Sequence, residues 1–320
     1  MKIVFLGTPE ISCAFLERLV KDGLEVVGVV SQPDKPQGRG LCIGCPPVKT
    51  RAEQLKLKVF QPKTRTELSG VLRSIEPDLC VAVAYGRLLK KEELEIPKTG
   101  FLNVHFSLLP KYRGAAPVQW ALIHGEKTTG VTIFWIDEGM DTGPVFSQKQ
   151  MEISGEDDAF SLFGKLADAG VEMLSGCIKE IEKGSLPRIP QTGEPSCAPM
   201  LTAGDALIDF KDKAVNVHNK IRALKCGPRA RFICVANGRK ISVQVIKSSM
   251  PGTVCGFSGC SGNFAPGSIS AVVEGKGIFI KCGEGYVLLE RLQPEAGKAM
   301  TSVDFINGFR LKKGDVLGVL

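Results

Sequence analysis

No long hydrophobic run opens this 320-residue chain. Met1-Lys2-Ile3-Val4-Phe5-Leu6-Gly7 has one basic residue and four apolar ones before a glycine, too short for a signal-peptide core or a membrane span. The segment reads as a first β-strand, so a cytoplasmic protein with no membrane role is expected. A paired cysteine and histidine framework is also missing. The eleven cysteines are odd in number and scattered, as the reduced thiols of a cytosolic protein are. Cys42-x-x-Cys45 lacks a second pair with zinc spacing, because Cys255 and Cys260 stand further apart with no histidine beside them, so no metal is expected. Neither G-x-G-x-x-G nor G-K-[ST] occurs, which argues against Gly7-Thr8-Pro9 as a nucleotide phosphate loop. Internal repeats and low-complexity tracts are absent too.

What is present is enough apolar material for two packed cores. Hydrophobic residues make up 43% and charged residues 23% of the chain, which excludes disorder, and the length predicts two domains. The formal charge of +7 is unevenly placed. Residues 205–320 hold 17 Lys and Arg against 9 Asp and Glu, whereas residues 1–204 hold 24 against 25. A near-neutral body joined to a basic appendage suits an enzyme that handles nucleic acid, since Lys and Arg neutralise phosphates. A solvated basic face is the plainer alternative.

Apolar, β-branched runs recur at Ile3 to Leu6, Val26 to Val30, Leu79 to Val83, Phe101 to Val104 and Val131 to Ile136. Helix-like stretches such as Ser12 to Lys21 and Thr64 to Ile75 lie between them. Continuous apolar strands imply a sheet buried on both faces, hence a doubly wound, mostly parallel α/β domain over 1–184 with its site at the carboxyl ends of the strands. A long amphipathic helix from Ala159 to Ile181 closes it, with Phe160, Phe163, Leu166, Leu174 and Ile178 on the packed face and Gly170 permitting close approach. Four prolines between Gly184 and Gly204 mark a linker, taken as 185–206. Residues 207–320 then read as a helix, Ala214 to Leu224, followed by short strands and glycine-rich turns, as in a small OB-like β-barrel.

Two segments stand out chemically: Phe101-Leu-Asn-Val-His105-Phe-Ser-Leu-Leu-Pro110 and Val131-Thr-Ile-Phe-Trp-Ile-Asp-Glu-Gly-Met-Asp-Thr-Gly143. Strand period puts Asn103 and His105 on one face at a strand's carboxyl end. Alone, such a pair can merely cap the strand. With Asp137 and Asp141 after a second apolar strand, an amide donor, an imidazole and a carboxylate converge, which suffices for acyl transfer without a metal. Asn103 and a protonated His105 would stabilise an oxyanion, and Asp141 would orient the imidazole and help take a proton from an attacking amine. His124 reads as a helix-end cap, and His218 lies on a basic helix facing solvent or a phosphate.

Asn-x-His-x-Ser-Leu-Leu-Pro followed by Asp-x-Gly-x-Asp-Thr-Gly resembles the signature of the folate-dependent formyltransferases. The resemblance implies that Asn103, His105 and Asp141 are the catalytic trio, that 10-formyltetrahydrofolate is the co-substrate, and that Ser107, Leu108, Leu109 and Pro110 lie against it. Tyr85, Gly86, Arg87 and Leu88, within Val83-Ala-Tyr-Gly-Arg-Leu-Leu89, are similar to the family's strand-end lining of the pterin pocket. Phe5-Leu-Gly-Thr-Pro9, Gln32-Pro-Asp-Lys-Pro-Gln-Gly-Arg-Gly40, Pro47-Val-Lys49, Arg113-Gly-Ala-Ala-Pro117 and Asp304-Phe-Ile-Asn-Gly308 resemble those family members that act on methionyl initiator tRNA. This implies a monomer whose 33–47 insertion grips the acceptor end, with Lys35, Arg39, Arg222 and Lys225 as tRNA contacts. The sequence departs from that pattern at Leu41-Cys-Ile-Gly-Cys45, where lysines are expected, at Met200, where a lysine is usual, and at Lys225-Cys-Gly-Pro228, which replaces a more aromatic segment. Formyl transfer to a small amine, formyl-folate hydrolysis and an inactive tRNA-binding protein are the rival expectations.

Overall fold

The computed structural model describes residues 1–37, 42–236, 238–253 and 262–318. Arg39, Cys255 and Cys260 lie outside the described residues. The chain forms two compact units, one of residues 1–117, 128–152 and 163–198, the other of residues 118–127, 153–162 and 199–320.

In chain order the elements run β1 (Ile3–Gly7), α1 (Glu10–Lys21), β2 (Val26–Val30), β3 (Lys35–Gln37), β4 (Cys42–Gly44), α2 (Pro47–Gln54), β5 (Val59–Phe60), α3 (Arg65–Ile75), β6 (Leu79–Val83), α4 (Lys91–Leu94), β7 (Gly100–His105), α5 (Pro117–Ile123), β8 (Thr128–Trp135), β9 (Val145–Glu152) and α6 (Ala159–Glu182). Seven strands form one sheet in the order β5-β2-β1-β6-β7-β8-β9. The first five are parallel, as the continuous apolar runs predict, and β1 and β6 are buried at every position. The β7–β8 and β8–β9 pairs are antiparallel.

The order reverses at β1, with β2 on one side and β6 on the other. Such a switch point leaves a crevice at the carboxyl ends of the strands, where ligands of open α/β sheets bind. Two side chains span it: Thr8 Oγ1 donates to the Tyr85 carbonyl at 2.9 Å and Ser12 Oγ to the Val83 carbonyl at 2.7 Å. One face of the sheet, through Val4, Leu6, Cys80 and Ala82, packs with Leu68 and Leu72 of α3. Gly170 of α6 approaches so closely that an added Cβ would lie 3.1 Å from Phe15 and 3.3 Å from Val104, the role its position predicts.

The buried stripe of α6 is the expected one except in its first turn. It runs through Ala159, Leu162, Leu166, Leu174 and Ile178, and Phe160 is 63% exposed. Ala159 and Leu162 are both fully buried, and Phe160 lies about 200° around the helix from Leu162 at 100° per residue.

The second unit adds α7 (Ala214–Ala223), β10 (Arg231–Ala236), β11 (Arg239–Ser249), β12 (Ile269–Val273), β13 (Gly277–Lys281), β14 (Tyr286–Pro294), β15 (Met300–Thr301) and α8 (Ser302–Gly308). Its six strands form one antiparallel sheet, β10-β11-β14-β13-β12, with β15 on β14. This is the small antiparallel β-domain expected from the alternating strands and turns. Ala214, Val217 and Ile221 recur at helical spacing on the buried side of α7 and join Phe210, Phe232, Val243, Ile280, Leu289 and Phe305 in its core. Among the described residues no helix is long and apolar enough to cross a membrane.

Candidate active site

β7 carries the first two site residues to its carboxyl end. Asn103 is half-buried, and its Oδ1 accepts from the Val104 backbone N–H at 2.8 Å. This fixes which end of the amide faces outward: its NH2 group is a donor with no partner among the described residues. His105 is 6% exposed and packs edge-on against Phe134.

Both ring nitrogens of His105 meet acceptors. Nε2 is 2.8 Å from the Tyr112 carbonyl, and Nδ1 is 3.5 Å from Asp141 Oδ2. A carbonyl only accepts, so Nε2 carries a proton and Nδ1 is the position that titrates. Burial pushes the imidazole below its ordinary pKa, while the Asp141 carboxylate and the Tyr112 carbonyl pull it partly back. Burial thus opposes a second proton on the ring, and the two groups beside it favour one.

Asp141 reaches His105 from a turn that local chemistry closes. Asp137 Oδ1 accepts from the Gly139 N–H at 3.1 Å and from Thr142 Oγ1 at 2.6 Å, an Asx-type turn. A side chain at Gly143 would run into the Trp135 carbonyl. Asp141 itself has φ 54°, a left-handed conformation that aspartate tolerates better than most residues. Its Oδ2 also accepts from Gly114 N–H at 2.8 Å, which leaves the carboxylate braced between two loops.

Sequence reasoning missed the residues that brace this turn. Gln191 donates Nε2 to the carbonyls of Asp141 and Gly143, both at 2.8 Å, and its Oε1 accepts from Arg113 Nη2 at 2.6 Å. Ser196 Oγ accepts from Tyr112 N–H at 2.9 Å, and the Ser196 carbonyl accepts from Arg113 N–H at 2.8 Å. Residues 187–198, read from their prolines as part of a linker, are thus laced to the loops that carry Tyr112, Arg113 and Asp141. Ile189 bridges Val145, Cys197 bridges Arg113, and Arg188 lies over the Trp135 ring at 4.3 Å. The Arg113-Gly-Ala-Ala-Pro117 motif was the only available signal for this brace.

The remaining expected residues fall into two groups. Ser107, Leu109 and Pro110 are buried in their own loop and Leu108 is half-buried. Thr132 Oγ1 donates to the Ser107 carbonyl at 2.6 Å, and Gln148 Nε2 donates to the Leu109 carbonyl at 2.8 Å. Tyr85 and Gly86 sit at the end of β6 in a turn where Ala84 and Gly86 have φ 48° and 79°. Arg87 donates to the Lys63 carbonyl at 3.0 Å, Leu88 is 47% exposed, and the Tyr85 hydroxyl is buried without a partner among the described residues. Exposed Gly86 backbone, exposed Leu88 and an unpaired buried hydroxyl together fit a flat ligand with a polar edge at the switch point.

Of the expected tRNA contacts, Lys35 is exposed on β3. Lys225 pairs with Asp158 at 2.6 Å. Arg222 is only 9% exposed, and its guanidinium donates to the carbonyls of Ser154 and Asp157 and to Asn219 Oδ1. Three of its five N–H donors, one on Nε and two on Nη1, are thus taken by internal acceptors. His218 likewise turns inward to Ser248 Oγ at 2.9 Å. Among the described residues no group of three or more His, Cys, Asp or Glu side chains is placed to hold a metal ion.

A buried imidazole, a braced carboxylate and a free amide donor at the carboxyl end of a doubly wound sheet suit group transfer. The Formyl transferase family profile matches residues 1–178, and the profile of the Formyl transferase C-terminal domain matches residues 200–310. The chain belongs to the formyl transferase family, and it is an enzyme of formyl transfer. Over its full length it is similar to the methionyl-tRNA formyltransferase of Elusimicrobium minutum, 40% identical across 99% of both chains. That of Acetivibrio thermocellus is 42% identical across 99% of this chain and 100% of the relative. Among solved structures, an N-formyltransferase of Helicobacter canadensis in complex with folinic acid and dTDP-3-aminofucose shares the fold, with TM-score 0.65 and 22% identity over 90% of this chain and 98% of that one. HypX of Aquifex aeolicus in complex with tetrahydrofolic acid has TM-score 0.65 and 18% identity over 100% of this chain and 51% of that one.

Proposed function

We propose that this chain transfers the formyl group of 10-formyltetrahydrofolate to the α-amino group of methionyl initiator tRNA, as a monomer in the cytoplasm. The observation that carries this assignment is the full-length likeness to methionyl-tRNA formyltransferases at 40% and 42% identity, in a chain whose His105 and Asp141 stand 3.5 Å apart.

The chemistry follows from the resting state of the site. The amine nitrogen attacks the formyl carbon, the carbonyl π bond opens, and negative charge collects on the formyl oxygen. The outward NH2 of Asn103 is a preorganised donor for that oxygen. The attacking amine becomes cationic and gives a proton to the Asp141–His105 pair, where Nδ1 accepts it between a carboxylate and a ring already bonded to the Tyr112 carbonyl. Collapse of the tetrahedral adduct re-forms the carbonyl and breaks the bond to N10 of the folate. The proton then returns from the pair to that nitrogen. Charge is balanced at each stage, and no covalent enzyme intermediate arises.

For the folate, Tyr85, Gly86, Arg87 and Leu88 would line the pterin side, with the Ser107 to Pro110 loop behind the reacting carbon. Lys35 and Arg39 of the 33–47 insertion and Arg222 and Lys225 of the basic unit would contact the tRNA, Arg222 through the Nη2 that its internal bonds leave over. The catalytic domain, linker and tRNA-binding domain are assigned to residues 1–184, 185–206 and 207–320.

Labelled formyl transfer, offered in parallel to methionyl initiator tRNA, methionyl elongator tRNA, free methionine and water, tests the assignment. Formylation confined to the initiator species is expected. Release of formate, or transfer only to a small amine, would move the function to a different acceptor.

A further inference from the structure

The exposed Phe160 stands on one side of a cleft of about 360 Å³ in the second unit, shared with Asp158, Lys225, Arg229, Lys247 and Arg291. Four cations thus face a single carboxylate. Two of them are paired, Lys225 with Asp158 and Lys247 with Glu290, each at 2.6 Å. Arg229 and Arg291 are exposed, and their guanidinium groups have no ion pair or hydrogen bond among the described residues. Lys247 and Arg291 are register partners where the β11–β14 ladder is irregular.

A bare aromatic ring beside two unpartnered guanidinium groups has the chemistry of a single-stranded nucleic-acid subsite. Every base has a π-face that stacks on such a ring, and phosphates meet arginine through paired hydrogen bonds. The volume falls in the range of small-ligand sites. We propose that this cleft takes one unpaired nucleotide of the tRNA substrate, its base on Phe160 and its flanking phosphates on Arg229 and Arg291. The proposal rests on the tRNA assignment above and adds a contact outside the catalytic centre. An exposed phenylalanine on α6, which its own helix does not bury, acquires a function in this arrangement.

The test uses the full chain with methionyl initiator tRNA. Phe160→Ala should raise the tRNA Kd about tenfold, the loss of one base stack, without changing how steeply binding falls with salt. Arg229→Gln and Arg291→Gln should each reduce that salt slope by about 0.7, the contribution of one single-strand phosphate contact. Phe160→Trp should keep wild-type affinity, and its added fluorescence should be quenched when tRNA binds. Folate binding within twofold of wild type shows that each variant is folded. Should Phe160→Ala fail that control, Phe160→Trp decides: quenching supports the subsite, and unchanged fluorescence overturns it. A wild-type Kd in Phe160→Ala, while the wild-type enzyme formylates the tRNA, overturns the subsite alone. A wild-type enzyme that neither binds nor formylates the tRNA overturns the acceptor assignment itself.

Discussion

Gln191 holds the backbone carbonyl of Asp141 at 2.8 Å from 50 residues further along the chain. The carboxylate that faces His105 is therefore positioned by a segment that carries no chemistry of its own. Asp141 keeps its left-handed φ because Gln191, Gly114 and the Asp137 turn fix it from three sides. Strain of this kind persists only where the surroundings over-determine it.

Gln191→Leu removes both donors to the catalytic turn and leaves the trio intact. Misplacing a reacting group costs rate more than binding, so kcat should fall roughly 10- to 100-fold, with the KM for tRNA and folate within about twofold of wild type, that being the signature of lost transition-state interactions. Steady-state kinetics on both substrates reads the split. A rise in KM with kcat unchanged would show that Gln191 serves binding instead.

The acid side of the rate profile should report His105. Its imidazole must be neutral to take a proton, and burial holds its pKa below the ordinary 6.5. Activity, read as kcat/KM, should therefore stay level from pH 7.5 down to about 6.5 and fall only below it. Asp141→Asn removes the charge that raises this pKa and should move any residual acid limb lower still. An acid limb above pH 7 would mean that Asp141 outweighs burial and that the resting ring is charged.

His218 makes stability fall in acid. Its folded pKa is pushed down to about 4 by burial and by the charges of Arg222 and Lys225. The sign follows from proton binding: between pH 6.5 and 4 the unfolded chain takes a proton that the native ring refuses, so stability is complete above 6.5 and lost as pH drops. At pH 5 this amounts to about 2 kcal/mol. His218→Gln, which can still bond Ser248, should lose less thermal stability than wild type between pH 7 and 5. Equal losses would show that the native ring protonates freely.

The parts of the fold that were readable share one physical feature. Strands β1, β2, β6 and β7 are buried on both faces, so their sequences are continuous apolar runs, and the helices between them repeat every third or fourth residue. β9 escaped notice because from Ser147 to Gln150 its residues are half-buried or exposed, leaving no apolar run. Only Phe160 was wrongly placed on the packed face of α6, where the small Ala159 beside it is buried instead. At the site, Asn103, His105 and Asp141 were legible because strand period and glycine-rich turns are local. Their surroundings were not. The lowered pKa of His105 depends on burial, and the brace from Gln191 and Ser196 on distant backbone that no local pattern encodes. The burial of Arg222 beside Ser154 and Asp157 was not legible either, because a sequence shows charge and not burial.

Single-turnover formylation of methionyl initiator tRNA by wild-type enzyme and by Asn103→Ala, with tRNA and folate affinities measured alongside, goes to the centre of the account. Loss of one oxyanion donor should slow the chemical step about 100- to 1,000-fold and leave both affinities within twofold. A variant that formylates at nearly the wild-type rate would contradict it, because the outward amide of Asn103 would then have no part in the reaction.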